Sequence, residues 1–308
     1  MKFFRIVVSR MDERQLVRMA DLEARQAESW CDYFGLSASA PSTIPRLLWG
    51  SDAARGVRFE IIFAALSNTI NEDRLQEVLL IHADLLERVW NGDPEAAAAL
   101  RHVAWRTRIS DQNVSEILDR CIAGATLAVE LTVRRLADSD VSEHDIENAL
   151  EQLRRVPGFE DPLRKKALLV CHRLVLAEYV TSAIVRQSAD YAIDKHITRL
   201  AIRLGWIDVS SDELLVKLAE QVGLTEEEDF ALRSTVSKAM HGLFDRPNLD
   251  RPRFNSAVWQ FARGVCRDPG PACTDVTAQP CSLAGVCRAH RLGTAARRAT
   301  PRSTNGYY

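Results

Sequence analysis

Long hydrophobic runs are missing from this chain. No stretch of its 308 residues approaches the ~18 uncharged apolar residues that a helix needs to cross a bilayer, so no membrane association is expected. No secretory leader is expected either, the N-terminus being a poor signal peptide. The apolar run after Met1 is broken by Arg5 and reaches Asp12 and Glu13 without a small-residue cleavage site, which points to a cytoplasmic location. Charge of one sign is also lacking: 40 Lys and Arg against 42 Asp and Glu give a formal net charge of −2. A nucleic-acid-binding protein of this balance must segregate its charge, because phosphate affinity comes from local Lys and Arg. There is segregation at one end, where no acidic residue follows Asp275 while Arg288, Arg291, Arg297, Arg298 and Arg302 do. Strand signals are scarce, with Phe4–Val8 the one candidate, and no internal repeat is present.

What the chain does have is helical periodicity. At 46% apolar and 27% charged residues it is an ordinary globular composition, long enough for two lobes. The segment Asp111–Arg135 places Val114, Ile117, Leu118, Cys121, Leu127, Leu131 and Val133 along one apolar face. Further helices are expected near 13–29, 57–69, 73–91, 94–107, 142–154, 162–179, 195–204, 211–221, 226–243 and 252–264. Thr225 with Glu228 forms a capping-box pattern, and Ser142 with Asp145 a weaker one. Asp161 before Pro162 reads as a cap followed by a proline at the first helical position. Gly205 and Gly223 are expected stops, and Gly35–Ser51 a linker.

Seven cysteines are present, and four of them cluster: Cys266, Cys273, Cys281 and Cys287, spaced C-x6-C-x7-C-x5-C in a Pro- and Gly-containing loop. Four thiolates so close in sequence are enough to close one metal or iron–sulfur site. A structural zinc site uses the same ligands, and spacing alone does not separate the two. Disulfides would need an oxidising compartment. Cys31, Cys121 and Cys171 lie in apolar helical stretches and read as core residues.

The loop, entered from a helix through Arg263-Gly-Val-Cys266, resembles the iron–sulfur loop of endonuclease III-like helix-hairpin-helix DNA glycosylases, whose pattern is C-x6-C-x2-C-x5-C. The first and last intervals agree; the middle one carries the insertion Val276-Thr-Ala-Gln-Pro280. A second stretch, Tyr191-Ala-Ile-Asp-Lys-His-Ile-Thr-Arg-Leu-Ala-Ile-Arg-Leu-Gly-Trp206, is similar to the family's V-D-T-H-V-x-R-L-x-x-R-L-G. It puts Asp194 on the catalytic aspartate, with His196, Arg199 and Arg203 on the following family positions. A third, Val156-Pro-Gly-Phe-Glu-Asp-Pro-Leu-Arg-Lys-Lys-Ala167, resembles the hairpin L-P-G-V-G-x-K-T-A, with Lys165 at the place of the nucleophilic lysine. Here the second hairpin glycine is absent and Glu160 and Asp161 are added, two carboxylates that would repel a phosphate unless they face away or cap the helix.

The resemblance implies an all-α fold of two helical lobes ending in a 4Fe-4S cluster loop, with zinc the alternative metal. The expected parts are N-terminal helices over 1–54, a barrel lobe with the hairpin over 55–192, a cluster lobe over 193–290 and a basic tail over 291–308. It also implies a monomeric DNA-repair enzyme that flips a base from double-stranded DNA. Asp194 would stabilise the cationic sugar, an ionised carboxylate being favoured at a helix N-terminus, and Lys165 would act as lyase nucleophile. Gly158, Arg164, Lys166, Arg267 and Arg288 would contact the DNA backbone. The residues themselves leave other readings open. Asp194 could be a simple N-cap, Lys165 a solvated lysine, His196 a structural side chain, and the C-terminal arginines a solvated surface. Hydrolysis of a free modified nucleoside or nucleotide, or a non-catalytic iron–sulfur component of a DNA-processing system, would use the same frame. Trp105, Trp206 and Trp259 are candidates for base stacking, although most tryptophans at helical spacing are core.

Overall fold

A computed structural model of the chain describes residues 7–8, 52–66, 81–105, 127–204, 206–208, 225–244, 250–264 and 266. The helices expected near 13–29 and 211–221, the linker Gly35–Ser51, the stops Gly205 and Gly223, Cys31, Cys121, Cys273, Cys281, Cys287, Arg267, Arg288, Arg291 and the basic tail lie outside these residues. The fold is all-α. Strand pairing among the described residues is limited to β1 (Val7–Val8) and β2 (Ile207–Asp208), antiparallel, with Val7 opposite Asp208 and Val8 opposite Ile207. The helices are α1 (Ala53–Leu66), α2 (Ala83–Trp90), α3 (Pro94–Trp105), α4 (Leu127–Arg134), α5 (Glu143–Arg154), α6 (Lys165–Leu176), α7 (Ala183–Ser188), α8 (Lys195–Leu204), α9 (Glu226–Phe244) and α10 (Arg251–Gly264).

The chain divides into two compact units, one of Leu36–Ala192 with Pro247–Arg253, the other of Met1–Gly35, Ile193–Arg246 and Phe254–Tyr308. The first is built around α1 and α6, which pack on each other. Both are buried nearly all round, as a central helix must be: Phe59, Ile61, Ile62 and Phe63 on α1, Leu168, Val170, Cys171 and Leu174 on α6. Burial pushes the Cys171 thiol up to about 12, as befits a cysteine used for packing. Around this pair, α4, the 3-10 turn Arg135–Ala137 and α5 add Val129, Val133, Leu136, Ile146, Leu150 and Leu153 to the same core. The expected apolar face of α4 is corrected here. Leu131 is 53% exposed, whereas Val133 is buried as expected, in a stripe with Val129 and, in the 3-10 turn Arg135–Ala137 that follows, Leu136. Those three share one side at helical spacing, and Leu131 points away from it.

Caps explain most boundaries. Ser142 Oγ accepts from the Asp145 amide while Asp145 Oδ2 accepts from the Ser142 amide at 2.8 Å, closing the box that opens α5. Thr225 and Glu228 do the same for α9, at 2.8 and 3.2 Å. Asp93 Oδ1 accepts from the Glu95 and Ala96 amides, so Pro94 begins α3. The same Asp-Pro pair at 161–162 behaves differently. A turn closed by the Arg164 amide on the Asp161 carbonyl intervenes, Arg164 takes a left-handed conformation (φ 54°), and α6 starts only at Lys165. Asp161 still caps across that turn, accepting from the Leu163 and Lys165 amides.

In the second unit α8 packs on α9, and β2 lies against both. Leu232, Val236, Ala239, Met240 and Phe244 line the buried face of α9. Trp206 meets Phe244 edge-on at 4.9 Å, and Phe244 meets Phe254 of α10 at the same distance. The Trp206 amide donates to the Ala201 carbonyl at 2.8 Å, the long backbone bond that closes the end of α8.

Candidate functional site

Asp194 stands immediately before α8 and caps it. Its Oδ1 accepts from the amides of His196 and Ile197, each at 2.9 Å, and its carbonyl takes the Thr198 hydroxyl at 2.7 Å. Two of the otherwise orphaned amides of the first turn are thereby satisfied. Its second oxygen does something a cap does not require. Oδ2 accepts from the indole Nε1 of Trp259, on α10, at 2.8 Å. The Trp259 ring packs perpendicular to His196, centroids 6.3 Å apart at 90°, and has the Arg263 guanidinium 5.1 Å from its centroid. His196 is half-buried and held below its usual range, first by desolvation and further by Arg199, Lys195 and Arg263, with Asp194 opposing. It is an uncharged partner for the ring at neutral pH.

The next turns of α8 tie it to the end of α10. Arg199 is buried, donates to the Ala262 carbonyl at 3.1 Å, and lies 3.2 Å from His196 Nδ1. Arg203 Nη1 donates to the Cys266 carbonyl at 3.0 Å and reaches its Sγ at 3.5 Å. Cys266 is itself buried, its amide bonded to the Phe261 carbonyl at 2.9 Å. A guanidinium beside this sulfur complements the charge of a thiolate ligand, and four cysteines form a donor set suited to iron–sulfur or zinc. Among the described residues no group of three or more metal-ligating side chains gathers, Cys266 being the one member of the four within them.

The hairpin segment belongs to the other unit, so Lys165 and Asp194 fall in different units. Val156 and Phe159 anchor it in the core at 0% exposure each, and Gly158 takes φ 94°. Three residues expected at phosphate contacts have partners within the chain itself. The Gly158 amide donates to Glu160 Oε2 at 2.9 Å, so the inserted carboxylate occupies the hairpin's own donor. The Arg164 guanidinium is paired with Glu147. Lys166 is 7% exposed, and its ammonium donates to the Ala65 carbonyl at 2.7 Å, at the C-terminal end of α1 where a cation is favoured. Lys165 occupies the first position of α6, half-buried, its amide on Asp161.

Of the three tryptophans offered for stacking, Trp206 is core, Trp259 holds Asp194, and the side chain of Trp105 lies outside the described residues. The sequence carries no sign of the Trp259 bond, because its partners are 65 residues apart. The Glu160 contact was open to inference: a carboxylate two residues after a hairpin glycine is within reach of that glycine's amide. Comparison with known proteins adds no relative: no family model, curated protein or solved structure matches the chain.

Proposed function

We propose that the chain cleaves N-glycosidic bonds, excising a base from double-stranded DNA, with the four cysteines holding a structural 4Fe-4S cluster. The observation that carries this reading is the content of α8. One helix presents a fixed carboxylate, Asp194, at its start and sets Arg203 against Cys266, the first of the four cysteines, at its end. In the proposed reaction the bond from the sugar C1′ to the base breaks with its electron pair leaving on the base, which takes up a proton. Positive charge then develops on the sugar, and Asp194 stabilises it without having to move. Lys165 supplies the amine that bonds to C1′, loses a proton and, as the sugar ring opens, gives a Schiff base from which the strand is cut. When bound, the cluster supplies cross-links that order a loop with few apolar residues. Borohydride trapping on an abasic duplex tests the reaction. A covalent adduct is expected from the wild type and none from Lys165→Ala; no adduct, or an undiminished one in the variant, ends the lyase proposal.

One observation favours a second reading. The hairpin amide, Arg164 and Lys166 are already occupied by groups of the chain itself. Hydrolysis of the N-glycosidic bond of a free modified nucleoside or nucleotide needs Asp194 and dispenses with the hairpin. Duplex binding separates the two: affinity that falls steeply with salt supports DNA, and no binding supports the small substrate.

A further inference from the structure

Capping α8 engages one oxygen of Asp194, yet both are held. Oδ1 is fixed by two amides of its own helix, and Oδ2 by the Trp259 indole of α10. Donors from two different helices leave the carboxylate no rotation about its last bond without breaking one of them. The indole in turn packs perpendicular to His196 and under the Arg263 guanidinium, and α10 is held to α8 by Arg199 on the Ala262 carbonyl. Asp194 as a residue remains half-buried rather than sealed. A nucleophile or proton shuttle needs freedom to turn. A group that stabilises developing positive charge works best already oriented.

We infer that Trp259 is a positioning residue for Asp194: its N–H fixes the plane of the carboxylate, so that Asp194 acts as a preorganised electrostatic stabiliser. The consequence for catalysis rests on the N-glycosidic reading; the orienting bond does not. The test uses the full chain labelled with 5-fluorotryptophan, which gives six fluorine resonances for six tryptophans. Trp259→Phe identifies the Trp259 signal by its loss, and the persistence of the other five shows that the fold is intact. Asp194→Ser keeps a side-chain oxygen for the cap and removes the second one, separating capping from orientation. The expected result is a shift of the Trp259 resonance in Asp194→Ser with the other five in place. A resonance that does not move overturns the inference, whatever the activity. On a substrate the wild type turns over, Trp259→Phe is expected to lower kcat about tenfold or more with KM unchanged, the mark of an interaction that matters only in the transition state. An unchanged kcat also overturns it. A wild type that releases base from neither duplex nor nucleoside, with the resonance shift present, sinks the N-glycosidic reading and leaves the orienting bond established.

Discussion

His172 sits at the middle of α6, 2% exposed, with Nε2 on the Asp190 carbonyl at 2.8 Å. Desolvation lowers its pKa from 6.5 to about 4, outweighing the Asp190 contacts that raise it. A base whose folded pKa is depressed favours the neutral folded form. Its contribution is complete above the unfolded value and is lost as pH falls from 6.5 toward about 4. That loss amounts to roughly 3 kcal/mol. Urea titrations across this window should therefore show a steeper decline for the wild type than for His172→Gln, which keeps a donor for Asp190 and does not titrate; parallel curves would remove the assignment. Glu60 and Arg173 pose the opposite problem. Glu60 is fully buried, its pKa raised by desolvation despite the Arg173 guanidinium, which also lies 4.0 Å over the Phe63 ring. One oxygen of Glu60 and one nitrogen of Arg173 remain without partners. Removing one member of such a pair strands a buried charge, at a cost of about 3–5 kcal/mol, whereas replacing both is close to neutral. Arg173→Met alone should be far less stable than Arg173→Met with Glu60→Met, and a double variant no better than the single would contradict this.

At the scale of elements, α1 and the turn after α6 are fitted to each other through one glycine. A Cβ on Gly56 would lie 2.4 Å from Tyr179 Cε2. Gly56→Ala should destabilise the protein by about 1–3 kcal/mol through overpacking, and Tyr179→Leu in the same chain should recover part of the loss. Equal thermal stability of wild type and Gly56→Ala would show that the ring moves freely. How far the elements could be read from the sequence depends on whether their boundaries are local. α5 and α9 begin where Ser142 and Thr225 predict, because a capping box is complete within four residues. α6 begins later than Asp161-Pro162 predicts, since a turn ending in Arg164 at φ 54° lies between the buried Phe159 and the helix. Its end was hidden for a similar reason. Glu178, not a glycine, takes the left-handed conformation (φ 58°) there, with the Tyr179 amide closing on the Leu174 carbonyl, and α7 follows Ser182, whose side chain makes no cap bond. The site divides the same way. Asp194 as the cap of α8 was legible from D-x-H before an apolar stripe, whereas the bonds to Trp259, Ala262 and Cys266 join residues more than 60 positions apart. Tertiary packing alone decides such pairs.

At the scale of the whole molecule, a near-neutral chain would have to place its positive charge locally to bind DNA, and in the hairpin an added carboxylate sits beside the donor such binding would use. Glu160 holds the Gly158 amide, and removing its charge removes a repulsion of about 1 kcal/mol for a phosphate about 4 Å away in water. Glu160→Gln should therefore raise duplex affinity at low salt by roughly fivefold and steepen its salt dependence. No change in either would mean that the hairpin takes no part in binding. The account as a whole rests on the four cysteines, because the resemblance that gives Asp194 and Lys165 their roles also assigns those cysteines to iron. Metal analysis with an absorption spectrum of anaerobically purified protein tests this most directly. The account predicts a brown protein with broad absorption near ~400 nm and about four irons per chain, lost on replacing Cys266 with Ser. A colourless protein without iron, whether it carries one zinc or no metal at all, would contradict it.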